Sequence, residues 1–183
     1  MLQFLFKAGD IDYEWSNAMW LTWNPSVRAA QKTADDDLLV EIHAKAKVGE
    51  LSGRAKTNPR LVTALTQEID LYYAMYRFQL WAEADYKVTL DAQCCYEVDT
   101  KTEYHFYDTY DWHKGLSAGG DLPAISKFKD DWSAALQDAG LAKGYEIRGY
   151  FINMPAQLVY TFPTDWLNMN ITPPPSGTKP PRR

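Results

Sequence analysis

The chain has 183 residues, of which 46% are hydrophobic and 14% aromatic, and its formal net charge is -5 at neutral pH. This length and apolar content predict one domain with a substantial core. The acidic balance disfavours nucleic-acid binding, because that affinity comes from clustered Lys and Arg side chains that release counterions. No apolar run approaches the roughly 20 residues of a membrane-spanning helix, and run 2–6 is too short for a signal-peptide core.

The first half of the chain carries signals for helices. The dipeptide Asn24-Pro25 is typical of an N-cap followed by proline at the first helical position, and it predicts a helix over 27–34. The acids 35–37 favour the start of a second helix over 38–47, because negative charge stabilises a helix N-terminus. A strand remains the alternative for the beginning of that second segment.

A long helix is predicted over 59–84. Asn58-Pro59 repeats the start signal, and apolar residues then recur three or four positions apart along one helical face. These apolar residues are Leu61, Leu65, Ile69, Tyr72 and Tyr76.

From residue 86 the pattern changes to strict alternation, which predicts a strand over 86–98 with one buried face. A turn at 100–102 then leads into a second strand that runs to residue 112. A three-residue loop keeps the apolar faces together and pairs Val98 with Tyr104, Tyr96 with Phe106, Cys94 with Asp108, and Ala92 with Tyr110. In this arrangement Asp108 lies on the apolar face; the alternative is that the strand ends earlier and Asp108 is a turn residue.

After the hairpin we predict a glycine-rich loop over 115–123 and a helix over 125–139 that Gly140 ends. Two strands follow, over 145–152 and 157–162, and then a proline-rich basic tail over 173–183. The predicted fold class is α+β. We predict a single domain over 1–172. Its helices, in 1–85, pack on an antiparallel sheet in 86–172 that is either open or curled into a half-barrel.

Four residues receive simple structural interpretations. Cys94 and Cys95 are adjacent and therefore poorly placed for an ordinary disulfide, so we predict one core thiol and one surface thiol. His43 is predicted on a helix surface, and His105 on the polar surface of the second strand.

The segment from Tyr107 to Lys114 concentrates the chemistry of the chain, with two carboxylates, two phenols, an imidazole and an ammonium group. An Asp on an apolar face loses hydration, and such an environment suits a base, a nucleophile or a metal ligand. His113 titrates near neutral pH and is a candidate general acid. Lys114 is a candidate for binding phosphate, and so is Arg148 on a later strand. The alternative is that Lys114 is a solvated surface residue and that Arg148 forms an ion pair with Glu146 or another surface carboxylate.

The run Asp108-Thr109-Tyr110-Asp111 resembles the D-x-Y-D catalytic motif of the colicin M family, bacteriocins that cleave the lipid-linked peptidoglycan precursor lipid II. The resemblance is strongest over 86–152. It implies that Asp108 is the leading catalytic acid, Tyr110 a positioning phenol and Asp111 the second acid. The family continues with a His-Arg pair several residues later, whereas here the only downstream candidates are His113-Lys114.

The resemblance also implies a reaction: Mg²⁺-dependent hydrolysis of the phosphoester bond between undecaprenol and the pyrophosphate-linked sugars of lipid II. Asp108 and Asp111 would hold the ion, His113 would protonate the leaving oxygen, and Lys114 or Arg148 would offset phosphate charge. The implied location is the target-cell periplasm, at the periphery of the inner membrane. Delivery by a bacterial secretion machine and a cognate immunity protein are further implications.

Two other functions remain open. One is a non-enzymatic acidic interaction module, such as an immunity or adaptor protein, and the other is a toxin that acts on a cytoplasmic substrate. Asp108 discriminates between an enzyme and the module, because a module that docks through charge would present its acids to solvent. The aromatic residues Trp15, Trp20 and Trp23 form either a surface for a polyprenyl chain or bilayer, or a portion of the core.

Overall fold

The computed structural model describes residues 13–15, 18–65, 67–68, 75, 77–91, 95–110, 135, 138–140 and 145–170, with the backbone alone for 13–15, 110, 145 and 153–156. In chain order the elements are β1 (Tyr13–Trp15), α1 (Pro25–Lys47), β2 (Ser52–Lys56), β3 (Arg60–Thr63), β4 (Arg77–Leu90), β5 (Cys95–Tyr110) and β6 (Tyr145–Pro163). Short 3-10 helices span Met19–Trp23 and Trp166–Asn168.

The strands form an open six-stranded sheet in the order β1-β6-β5-β4-β2, and β3 also pairs with β4. All described pairings are antiparallel except that of β1 with β6. Helix α1 packs on this sheet, so the predicted α+β class is confirmed. Within the described residues, no helix is long and apolar enough to cross a membrane.

The core lies between α1 and one face of the sheet, which we call the inner face. Successive strand residues point to opposite faces, so the inner face of β4 and β5 consists of even-numbered positions. Its buried apolar and aromatic residues are Phe78, Leu80, Ala82, Ala84, Tyr86, Val88, Val98, Tyr104 and Phe106, joined by Ile147 and Phe151 of β6. The opposite side is the outer face.

Helix α1 begins at Pro25, at the start signal of the sequence, but the residue that caps it is distant in the chain. The Asn24 side chain makes no capping hydrogen bond. Instead, Glu68 accepts the backbone N–H and the hydroxyl of Ser26 at 2.7 and 2.6 Å, and the backbone N–H of Leu65 at 2.7 Å. Burial alone raises the pKa of Glu68, but these hydrogen bonds outweigh it and hold the pKa below its ordinary value.

The two helices predicted over 27–34 and 38–47 are one continuous helix, so the predicted break at the three acids is wrong. Asp is a weak helix former, but two of these acids make tertiary contacts in mid-helix. Tyr104 donates its hydroxyl to Asp35 at 2.5 Å, and Arg60 donates Nε to Asp37 at 2.6 Å. The helix ends just before Gly49, whose φ of 90° suits glycine at a helix C-terminus.

We expect Asp35→Asn to leave the protein at least as stable as the wild type at neutral pH. Burial raises the pKa of Asp35, the hydrogen bond from Tyr104 lowers it and Asp36 raises it, with a net rise above 3.8. Between 3.8 and the folded pKa, the folded state therefore holds more protons than the unfolded state, and stability falls as pH rises. Asn still accepts the Tyr104 hydroxyl but does not titrate.

Urea unfolding of the wild type and Asp35→Asn across the acidic to neutral range measures this effect. The free energy of unfolding of Asp35→Asn should not decrease as pH rises through this range, as that of the wild type does. The control Asp36→Asn, at an exposed position, should alter this pH dependence less than Asp35→Asn does. A variant clearly less stable than the wild type at neutral pH would show that the ionised Asp35 carboxylate stabilises the fold.

The long helix predicted over 59–84 is wrong, because this range contains β3 and most of β4. Phe78, Leu80, Ala82 and Ala84 alternate with polar positions, so the period of two begins well before residue 86. Trp81 is an apolar residue on the otherwise polar outer face. It interrupts the alternation of apolar and polar residues from which the strand could have been predicted. The division into helices over 1–85 and a sheet over 86–172 is therefore also wrong.

The predicted turn at 100–102 is wrong as well, because β5 continues through it. Thr100 and Thr102 are buried on the inner face. Their polar side chains are also common in turns, which is why a turn was predicted here. The chain instead reverses between β4 and β5, so that Val98 lies opposite Val88 and Tyr160, and Phe106 opposite Leu80 and Gly149. The predicted strand pairs are wrong for these described residues.

Further along, the strands predicted over 145–152 and 157–162 are one strand, β6, whose pairing is irregular opposite Lys101 and Glu103. Ala139 donates a helical hydrogen bond to Ala135 at 3.0 Å, and Gly140 follows with a φ of 70°, as expected for the end of the predicted helix. The loop 115–123 and the tail 173–183 lie outside the described residues.

Two of the simple structural interpretations are corrected. His43 is buried rather than on the surface: its Nε2 lies 2.8 Å from the carbonyl oxygen of Trp166, whose ring it contacts edge-on. Cys95 is disulfide-bonded, and the only other cysteine of the chain is Cys94, so the interpretation as two free thiols is wrong.

Candidate functional site

Asp108 lies inside β5, two residues before its end, and it is half-buried. It pairs with the buried Ile147 of β6 and has the same parity as Phe106, so it belongs to the inner face. This is the face predicted for it, and the alternative in which the strand ends earlier is wrong. Its Oδ1 accepts the backbone N–H of Thr109 at 2.8 Å.

The other motif residues are described only partially. Tyr110 ends β5, and its backbone pairs with Tyr145 at the start of β6. Asp111, His113 and Lys114 lie outside the described residues, so their predicted positions remain predictions. The described portion of the motif is thus the last segment of a central strand, which delivers Asp108 and Tyr110 to one end of the sheet.

Arg148 is not brought to the side of Asp108. It lies opposite Tyr107 and therefore belongs to the outer face, where it is exposed. Glu146 has the same parity and accepts the hydroxyl of Tyr107 at 2.8 Å. The sheet thus separates the guanidinium from the Asp108 carboxylate, although the two residues are close along the strand direction.

No metal centre made of protein ligands alone is present among the described residues, which contain no group of three or more His, Cys, Asp or Glu suited to hold an ion. Magnesium keeps several waters and often takes only one or two carboxylates together with substrate phosphates. Asp108 provides one such carboxylate at the sheet end. Asp108 could therefore bind Mg²⁺ only together with further ligands, supplied by substrate phosphates or by residues outside the described ones.

A second cluster of functional groups lies on the outer face, in the middle of the sheet. The rings of Trp81 and His105 stack at a centroid distance of 5.5 Å, and His105 contacts Tyr150 at 6.1 Å. The ammonium group of Lys56 lies 5.3 Å from the centre of the Trp81 ring. His105 thus belongs to the polar side of the strand, as predicted, but it is half-buried within an aromatic row.

Glu83 is the charged centre of this cluster. It accepts the indole N–H of Trp81 at 3.0 Å and forms ion pairs with Lys56 and Arg54, both at 2.9 Å. Burial alone raises the pKa of Glu83, but the hydrogen bonds from Lys56 and Trp81 and the charges of His105 and Lys56 outweigh it and bring the pKa to about 2. The ionised form of Glu83 is therefore favoured, and its ion pairs link β4 to the edge strand β2.

His105 itself has an unusual environment. Its Nε2 is shielded from solvent and makes no hydrogen bond, and it lies 3.6 Å from Glu103. Burial lowers the pKa of His105 more than Glu83 and Glu103 raise it. Sequence reasoning missed this cluster because it placed residues 81 and 83 in a helix; alternation from residue 78 onward was the signal that would have placed them on one strand face.

No family model, curated protein or solved structure matches the chain. Among the described site residues, Asp108 near the end of β5 is the one whose placement carries the most chemical information.

Proposed function

We propose that this protein is an antibacterial hydrolase of the colicin M type, which cleaves the undecaprenyl-pyrophosphate linkage of lipid II and so blocks peptidoglycan synthesis. The observation that supports the proposal best is the position of Asp108 within β5, on the inner face and opposite Ile147. Asp108 is half-buried there, and a carboxylate that loses part of its hydration on such a face usually has a chemical or structural reason to be there.

The proposed chemistry uses Asp108 and Tyr110 at the end of β5 together with Asp111, His113 and Lys114, which follow them in the sequence. Water would attack phosphorus, the bond from phosphorus to the undecaprenol oxygen would break, and the leaving oxygen would gain a proton. Asp108 orients or deprotonates the water, Asp111 is the second acid and Tyr110 positions the phosphate. His113 supplies the proton and Lys114 offsets phosphate charge.

Arg148 is left out of the proposed site, because it lies on the opposite face of the sheet. Mg²⁺, bound by Asp108 and Asp111 with substrate phosphates, would polarise the phosphate oxygens and stabilise the charge that develops on them. The proposed place of action is the periplasm of a target cell, after delivery from another bacterium, with an immunity protein as partner in the producer.

An acidic interaction module agrees less well with the geometry. Such a module presents its carboxylates to solvent, whereas Asp35 and Asp37 are committed to Tyr104 and Arg60, and Asp108 lies on the inner face.

Expression in a bacterial host, with and without an attached export signal, tests the proposal. We expect lysis only with the export signal, and no lysis with the Asp108→Ala variant, provided that its circular dichroism matches the wild type. Toxicity confined to the cytoplasmic form would show that the substrate lies in the cytoplasm. A chain that is harmless in both compartments would favour the interaction module.

A further inference from the structure

The two cysteines of the chain, Cys94 and Cys95, are neighbours in the sequence. Cys95 is disulfide-bonded, so Cys94 is its partner, and the bond closes a small ring that contains the peptide bond between them. Cys95 is the first residue of β5 and is only 7% exposed. The disulfide therefore belongs to the reversal of the chain from Asp91 to Cys95, which we call the β4–β5 turn.

A disulfide between adjacent residues is poorly suited to stabilise a fold. In the chain-entropy account, a disulfide stabilises by removing freedom from the unfolded chain, and this effect grows with the length of the loop that the bond closes. A bond between neighbours closes no such loop. The Cα atoms of consecutive residues are at most about 3.8 Å apart, whereas disulfides usually join Cα atoms about 4.4–6.8 Å apart. Such a departure makes the bond easier to reduce.

The contacts on either side of Cys95 confine the effect of this bond to the β4–β5 turn. The backbone N–H of Asp91, an exposed residue, donates to the carbonyl oxygen of Cys95 at 2.8 Å and closes the turn. Because the disulfide ring contains the peptide bond before Cys95, it restricts the backbone φ of Cys95 next to this hydrogen bond. Beyond it, the ring of Tyr96 contacts that of the buried Trp166 at a centroid distance of 5.9 Å. Strand β5 is thus anchored in the core from Tyr96 onward, whichever state the cysteines are in.

We propose that the bond between Cys94 and Cys95 is a redox switch, which fixes the β4–β5 turn in an oxidising compartment and releases it in a reducing one. The inference rests on the proposed function for its setting, a protein that passes from the cytoplasm of a producer to the periplasm of a target. Cytoplasmic thiols are kept reduced, whereas the periplasm favours disulfides. The protein therefore changes from the dithiol form to the disulfide form on delivery.

The oxidation takes its electron acceptor from the class of disulfides, and glutathione disulfide serves as the probe. The thiolate of one cysteine attacks glutathione disulfide, forms a mixed disulfide and releases one glutathione. The thiolate of the other cysteine then attacks the protein sulfur of the mixed disulfide, forms the bond between Cys94 and Cys95 and releases the second glutathione. The two cysteines together lose two electrons and two protons, and glutathione disulfide gains both.

Equilibration of the full chain in mixtures of glutathione and glutathione disulfide tests the inference without lipid II. After acid quenching and alkylation, mass spectrometry counts the free thiols of the folded protein. We expect the dithiol form in strongly reducing mixtures and the disulfide form in strongly oxidising ones, with both thiols appearing together. A bond that survives the most reducing mixture would identify a structural disulfide and overturn the inference, and so would a dimer linked through cysteine.

Hydrogen exchange in the two end mixtures shows whether the bond controls the β4–β5 turn. In the dithiol form the Asp91 amide should exchange at least about tenfold faster than in the disulfide form, because its hydrogen bond opens locally. The amide of Val88, which donates to the Leu51 carbonyl at 2.7 Å, is the matched control and should exchange at the same rate in both. Equal exchange of the Asp91 amide in both forms would show that the bond fixes nothing.

Cys94→Ser cannot form the bond, so its Asp91 amide should exchange as fast in the oxidising mixture as that of the wild-type dithiol form. Exchange as slow as in the wild-type disulfide form would also overturn the inference. Asp108→Asn should show the same redox equilibrium as the wild type. Failure of the switch and failure of the proposed hydrolysis are therefore seen in different measurements.

Discussion

Asp108→Asn is expected to lower the rate at which purified protein releases undecaprenol from lipid II in the presence of Mg²⁺ by at least about a hundredfold. Asn has the size of Asp and retains an oxygen that accepts the Thr109 N–H, so the strand end should keep its structure. It cannot accept a proton from water and binds Mg²⁺ less well than a carboxylate does. The substitution therefore removes the proposed chemistry and leaves the fold in place.

A matched control separates this effect from a general loss of charge. Asp85 is an exposed acid on the outer face of β4, where it lies opposite Arg54 and Lys101. Asp85→Asn changes the net charge by the same amount and should retain full activity. Comparable losses in both variants, or an active Asp108→Asn protein, would exclude Asp108 as the catalytic acid.

The face of the sheet on which Asp108 lies could be predicted from sequence, although its strand partner could not. Positions 98, 104, 106 and 108 are separated by even numbers, so they share a face in any strand that contains them. Partner choice depends on register, and the prediction failed at the buried Thr100 and Thr102, which resemble turn residues. A polar residue on an inner face carries no local signal of its burial.

The outer-face cluster and the helix cap show the second limit of sequence reasoning. Trp81 and His105 are 24 positions apart, and they meet only because β4 and β5 pair in a register that places them opposite each other. Glu68 reaches Ser26 across 42 positions. Local capping rules located the start of α1 correctly, but they attributed the cap to Asn24, the residue next to the helix.

Glu68→Ala is expected to destabilise the fold by about 2–4 kcal/mol, the second large effect that follows from the structure. The substitution leaves two backbone N–H groups and one hydroxyl without their acceptor, at a residue that is only 6% exposed. Partly buried donors that lose a charged acceptor cost more than an exposed ion pair does. Chemical denaturation measures the free energy of unfolding. The control Glu50→Ala removes only an exposed pair with Lys45 and should cost little.

The pH dependence distinguishes this cap from simple packing. The pKa of Glu68 is lower in the folded state than its ordinary value of 4.5, so its stabilisation is complete above pH 4.5 and is lost as pH falls through the folded pKa. Glu68→Gln does not titrate, because an amide replaces the carboxylate. The difference in unfolding free energy between the wild type and Glu68→Gln should therefore be largest near neutral pH and decrease in acid. A difference that is independent of pH would mean that the Glu68 side chain stabilises α1 by its shape rather than by its charge.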